Sequence, residues 1–174
     1  MTTGDNKPQG EMITVPSTRF GDLSVAKETI IHFPNGVIGF PQHKDFVMLE
    51  YKPPFCWLHS IEDAQLAFVV VDGFEFGENY SVKPPVGDQG IDLKAEDEFA
   101  ILVIVTVRPD PKMTTANLKA PLFVNLRNRK GVQVIFDDRR YDTRFPLWAS
   151  EAGGASEAGG ASEAGGASDE PKKD

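Results

Sequence analysis

The chain has 174 residues, 40% of them apolar and 25% charged, with a net charge of −8. That is one domain of ordinary size with enough apolar material for a core, and no run approaches the roughly 20 apolar residues that span a bilayer as a helix. The single cysteine, Cys56, excludes an internal disulfide and suits a reducing cytoplasm.

Residues 1–10 are polar, lack the apolar stretch of a secretory signal, and read as a disordered leader. From Glu11 to about residue 149 the chain reads as short strands separated by Gly, Pro and Asn. Ile13-Thr14-Val15 and Leu23-Ser24-Val25 flank a turn at Phe20-Gly21-Asp22. Thr29 to Phe33 is strand-like and runs into the turn signal Pro34-Asn35-Gly36. Phe46 to Leu49 and Leu66 to Val71 are further apolar runs, the second ending at Asp72-Gly73. Glu75 to Lys83 and Leu93 to Glu98 are the two places where a short helix is expected, the first stopped by Pro84-Pro85.

Phe99 to Val107 is the strongest strand. Phe99, Ile101, Val103, Val105 and Val107 share one face, and Ala100, Leu102, Ile104 and Thr106 share the other. Both faces are mostly apolar, which predicts a central strand covered on both sides, stopped by Pro109 and Pro111. Leu122 to Leu126 and Val132 to Phe136 then form a hairpin through Asn128-Arg129-Lys130-Gly131. Many short strands with little helix predict a mainly β protein: a small antiparallel barrel-like single domain over residues 11–149.

Residues 150–167 are three copies of Ser-Glu-Ala-Gly-Gly-Ala. No unit has an apolar side to bury, so residues 150–174 read as a disordered acidic tail with a reach of about 25–30 Å. Charge is uneven. Residues 1–100 hold 16 acids and 7 bases, residues 101–149 hold 4 acids and 9 bases, and residues 150–174 hold 6 acids and 2 bases. The tail reads first as a plain solvated segment, with a weak electrostatic screen over the basic stretch at 127–144 as the alternative.

The candidate chemistry is thin. Cys56 and His59 with His32 and His43 match no common zinc spacing, and residues three apart on a strand face opposite ways, which disfavours a Cys56/His59 nucleophile pair. Glu62-Asp63 and Asp137-Asp138 are adjacent carboxylates that diverge rather than converge. Gly36 and Gly39 lack the dinucleotide fingerprint and read as turn glycines. No catalytic, cofactor or metal site is expected. The competing binding class is a single-stranded nucleic-acid barrel using Arg127, Arg129, Lys130, Arg139, Arg140 and Arg144 with Phe136, Tyr141 and Phe145. The net acidity and the interleaved Asp137, Asp138 and Asp142 argue against it.

Several segments, in order, resemble the FliW family of bacterial flagellar assembly factors. Phe33-Pro34-Asn35-Gly36-Val37-Ile38-Gly39-Phe40 is similar to that family's F-P-x-G-[ILV]-P-G-F turn, and Leu58-His59-Ser60-Ile61-Glu62-Asp63 to its L-Q-S-x-E-D segment. Asn117-Leu118-Lys119-Ala120-Pro121 matches N-L-[KR]-A-P, and Gln133-Val134-Ile135 and Tyr141 to Leu147 fit as well. Ile38 stands where the family usually has proline, which predicts a looser turn, and His59 stands where it usually has glutamine. The resemblance implies a non-enzymatic cytoplasmic protein that binds flagellin before export. When free, it would bind a CsrA-type translational regulator and relieve repression of flagellin synthesis. It implies no direct nucleic-acid, membrane or small-molecule partner. Its signature residues, structural or partner-binding, are Phe33, Pro34, Gly36, Gly39, Phe40, Asn117, Leu118, Lys119, Ala120, Pro121 and Gln133.

Overall fold

The computed structural model describes residues 10–85 and 89–148. The repeat tail and all of the expected leader except Gly10 lie outside the described residues. Eleven strands are present among the described residues: β1 Met12–Val15, β2 Leu23–Ala26, β3 Ile31–His32, β4 Asp45–Glu50, β5 Phe55–Ser60, β6 Ala67–Asp72, β7 Phe99–Thr106, β8 Thr115–Ala116, β9 Leu122–Asn125, β10 Lys130–Gln133 and β11 Phe145–Pro146.

Strands β3 to β7 follow one another in the sheet as antiparallel neighbours, and β10 and β9 continue it beyond β3. β9 then pairs with β7, Phe99 opposite Asn125 and Leu102 opposite Leu122, so seven strands close a barrel. All these pairings are antiparallel except β10 with β3, where Lys130 lies opposite His32 in parallel. β8 and β11 extend the sheet beside the far end of β7, and β1 and β2 form a separate hairpin.

The alternation of each strand fills the barrel from within. Phe33, Phe46, Leu58, Val70, Leu102, Leu122 and Val124 are buried together in the lumen. The opposite faces are covered too. The hairpin β1–β2 packs Val15 and Val25 on Val47, while Tyr80, Ile91, Tyr141 and Leu147 cover Ile101, Val103, Val105 and Phe123. β7 is therefore buried on both faces, as its two apolar faces predict.

Helix among the described residues is confined to three short 3-10 turns and to Leu147 and Trp148. The helix expected at 75–83 is instead a 3-10 segment, Gly73–Asn79, broken at Gly77, whose φ of 69° is left-handed. Residues 93–98 form a turn rather than a helix: Asp97 N–H donates to Lys94 O at 3.0 Å, and the Asp97 carboxylate accepts from Lys94 N–H at 3.0 Å. The β9–β10 hairpin also differs in detail. Its left-handed residue is Arg129, at φ 57°, and Gly131 lies inside β10 opposite Val124. Gly131 is needed for space: a Cβ there would lie 2.6 Å from Cζ of the buried Phe33 ring. The strand expected to reach Phe136 ends at Gln133, although Val134 and Phe136 still donate to Pro121 O and Lys119 O.

Candidate functional site

The turn after β3 is built from its own backbone. Phe33 is fully buried, edge-on to Phe46 with ring centroids 5.6 Å apart. Gly36 N–H donates to Phe33 O at 2.8 Å, with Gly36 at φ +70°. A Cβ on Gly36 would lie 2.7 Å from Pro41 Cα, so the position requires glycine on both conformational and steric grounds. Phe40 N–H closes the second bend on Val37 O at 2.7 Å, with Gly39 at φ +90°. Lys44 Nζ ties the start of the turn by donating to Pro34 O at 2.9 Å. Val37 is buried, while Ile38 and Phe40 are 54% and 37% exposed.

The block at 117–121 is held from three directions. Asn117 N–H donates to Ile104 O on β7, and its side-chain Oδ1 accepts from the N–H groups of Lys119 and Ala120 at 3.2 and 3.1 Å. That is the local side-chain turn for which asparagine is suited. Leu118 is buried; its N–H donates to Asp142 O, and its carbonyl accepts the Tyr80 hydroxyl at 2.8 Å. Burial raises the Tyr80 phenol, with the neighbouring Tyr141 adding to the effect. Pro121 is buried and immediately precedes β9, where its missing N–H costs the ladder nothing.

Gln133 joins the two blocks. Its Oε1 accepts from Ile38 N–H at 2.8 Å, and its Nε2 donates to Ala120 O at 2.9 Å. The turn expected to be loosened by Ile38 is thus clamped. A proline at 38 would have no N–H to give Gln133. All eleven signature residues lie in these two blocks or, in the case of Gln133, between them, and the Ile38–Gln133 bond links positions 95 residues apart. Ile135, 62% exposed, lies two residues beyond Gln133 on extended backbone and shares its face. Ile135 and the role of the Ile38 amide escape sequence reasoning, because both depend on which chain segment lies opposite Gln133.

The other candidates separate. Cys56 packs toward the lumen with Leu58. His59, on the other face of β5, is fully buried between Ser60 O at 2.6 Å from Nδ1 and Ser17 Oγ at 2.9 Å from Nε2. Ser17 Oγ also accepts from Arg19 and Phe20 N–H, so His59 anchors the turn that leads into β2. His32 pairs with Asp45 at 2.6 Å, and His43 lies 3.8 Å from Glu62. Among the described residues no three His, Cys, Asp or Glu side chains converge. Glu62 and Asp63 accept from Lys44 and Gln65 N–H as turn caps.

The basic stretch is partly spent on the fold. Arg127 donates to Asp97 at 2.8 Å and to Asp92 at 3.1 Å, pinning residues 91–97 to the β9–β10 hairpin, while Arg140 pairs with Asp138 at 2.7 Å. The Arg127 hydrogen bond, then that of Lys94 N–H, holds the Asp97 carboxyl down at about 2. Arg140 does the same for Asp138, also to about 2. Asn125 and Asn128 complete the clasp by donating to Ile91 O at 3.0 and 2.9 Å.

A family model described as FliW protein matches residues 14–147. Flagellar assembly factor FliW of Caldicellulosiruptor bescii is 38% identical over 136 residues, covering 77% of this chain and 90% of that one. Its namesake in Geobacter sulfurreducens is 36% identical over 143 residues, covering 80% and 89%. A crystal structure of the flagellar assembly factor FliW superposes with a TM-score of 0.71 at 31% identity, covering 78% of this chain and 96% of that one. No helix among the described residues is long and apolar enough to cross a membrane. With its barrel, its clamped turn and its Asn-Leu-Lys-Ala-Pro block, the chain belongs to the FliW family of flagellar assembly factors.

Proposed function

We propose that the protein acts in the cytoplasm by binding other proteins, without catalysis. It holds flagellin before export. Once flagellin leaves, it captures a CsrA-type translational regulator and relieves repression of flagellin synthesis. The observation that carries this reading is the ledge assembled by Gln133, which ties the turn at Ile38 to the block at Ala120, while Ile38, Phe40 and Ile135 in these segments stay exposed. Apolar side chains on a fixed backbone are a form suited to protein docking, because little conformational entropy remains to be lost on binding. The net charge of −8 suits a basic RNA-binding partner. In the signature, we assign Phe33, Pro34, Gly36, Gly39, Asn117, Leu118, Ala120, Pro121 and Gln133 to holding the ledge, and the exposed Phe40 and half-buried Lys119 to its rim.

Titration calorimetry with flagellin and with the regulator from one flagellated bacterium tests the reading. Both are expected to bind, each reducing the other's occupancy, and Ile38→Asp should weaken at least one complex by about tenfold or more. Absence of binding to both partners would overturn it. So would a salt-sensitive complex of the isolated protein with single-stranded RNA, lost in Arg129→Ala/Arg139→Ala.

A further inference from the structure

The last described segment leaves the barrel beside a basic groove. Pro146 in β11 lies opposite Thr115 in β8, and Leu147 N–H donates to Thr114 O at 3.1 Å. Next to that exit, Arg108, Pro109, Asp110, Met113, Thr115 and Arg144 line a surface groove of about 490 Å³. Met113 is 62% exposed, and Val107, which precedes Arg108 in the chain, is 56% exposed. The guanidinium groups of Arg108 and Arg144 form no ion pair among the described residues, unlike Arg127 and Arg140, which are taken by Asp92, Asp97 and Asp138. The one acid on the rim, Asp110, is engaged in capping Lys112 N–H at 3.0 Å.

Residues 150–174 carry six acids and two lysines, and Glu151, Glu157 and Glu163 recur every six residues. Glu151 is three residues beyond Trp148, a span of at most about 10 Å. The alanines and glycines around each glutamate place no bulk between the backbone and the groove walls.

We propose that this groove is an interaction surface for acidic segments and that its resident occupant is the chain's own repeat, with Glu151 or Glu157 set between Arg108 and Arg144. Of the basic stretch at 127–144, Arg127 and Arg140 are already paired within the fold, whereas Arg144 lies at this groove. A contact of this kind is weak in isolation. Attachment supplies the strength: a short tether gives an effective concentration in the millimolar range, so a millimolar site is substantially filled. Both arginines face water, so the contact depends on ionic strength. An acidic partner segment reaching the same groove has to displace the tail. The proposal does not depend on which protein docks at the Ile38 ledge.

The test reads the Nε–H resonances of arginine by NMR in the full chain and in the full chain carrying Glu151→Gln, Glu157→Gln and Glu163→Gln, substitutions that remove no contact among the described residues. At about 20 mM salt, Arg108 and Arg144 are expected to differ between the two proteins while Arg129 and Arg139 do not. At about 500 mM salt the difference should vanish. Arg108→Gln/Arg144→Gln should leave the tail glutamates with unchanged shifts on adding salt. Identical Arg108 and Arg144 signals in the two chains at low salt would overturn the proposal, and so would equal movement of Arg129 and Arg139. Differences that grow with protein concentration would place the tail of a second copy in the groove and overturn the intramolecular occupant.

Discussion

Replacing Gly131 by alanine isolates one steric demand of the barrel. Gly131 is not in the left-handed region, so alanine meets no backbone penalty there. Its Cβ would lie 2.6 Å from Phe33 Cζ and 2.8 Å from Cδ1. The Phe33 ring has no free side on which to retreat: it is fully buried, against Phe46 at 5.6 Å. Overpacking of this kind costs about 1–3 kcal/mol. The reduced freedom of the unfolded chain returns about 0.4–1 kcal/mol. A net loss of about 1–2 kcal/mol is therefore expected for Gly131→Ala, read as a urea midpoint lowered by about 0.5–1 M at a slope near 2 kcal/mol/M. Phe33→Leu alone should also destabilise, by about 1–2 kcal/mol. Combined, the two should cost at least about 1 kcal/mol less than their sum, because the smaller side chain vacates the space that the new methyl needs. Additive losses, or a single Gly131→Ala change below about 0.5 kcal/mol, would refute the account of this glycine as a space-maker.

Asn117→Ala should lower stability by about 1–2 kcal/mol in the same assay, since Lys119 and Ala120 N–H both lose their acceptor; unchanged stability with lost partner binding would make Asn117 a contact residue. His59→Gln retains one donor and one acceptor for Ser60 O and Ser17 Oγ and should cost less than His59→Leu, for which about 1–3 kcal/mol is expected from the stranded polar groups; equal losses would contradict the hydrogen-bonded role. Asp97, held at about 2 chiefly by Arg127, favours the folded state above its unfolded value near 3.9 and loses that contribution as pH falls toward 2. Acid titration of Asp97→Asn should therefore show a shallower fall in stability between about pH 4 and 2; an unchanged profile would show that the clasp contributes nothing.

The strands that alternate cleanly are legible in the sequence. β7 is the clearest, because its two apolar faces leave only a doubly covered position for it. β5 is not: Cys56, His59 and Ser60 dilute its apolar pattern, and it becomes a strand because β4 and β6 supply partners on both sides. β8 and β11 have two residues each, too few for any period to register. Local chemistry explains the missed detail in the helices, where glycine at 77 interrupts one turn and Asp97 folds back on Lys94 in the other. For the candidate site, the signature segments stand out in the sequence as motifs. Their meeting through Gln133 does not, because a side chain reaching Ile38 and Ala120 at once is set by barrel closure rather than by any neighbour in the chain.

Barrel closure also sets an order of events during synthesis. β3 at Ile31–His32 finds its second neighbour only in β10, about a hundred residues later, and the free side of β7 is filled at Phe99–Leu102 by β9. Loop closure over such separations is paid before its contacts are gained, which makes folding of this topology slow for its size. A nascent chain that has emerged only as far as β7 presents two unpaired strand edges, the form of surface that pairs with other chains. The segment Leu122–Gln133 supplies a partner for β3 and for the start of β7 in one hairpin, so its arrival converts an open, self-adhesive sheet into a closed seven-stranded barrel.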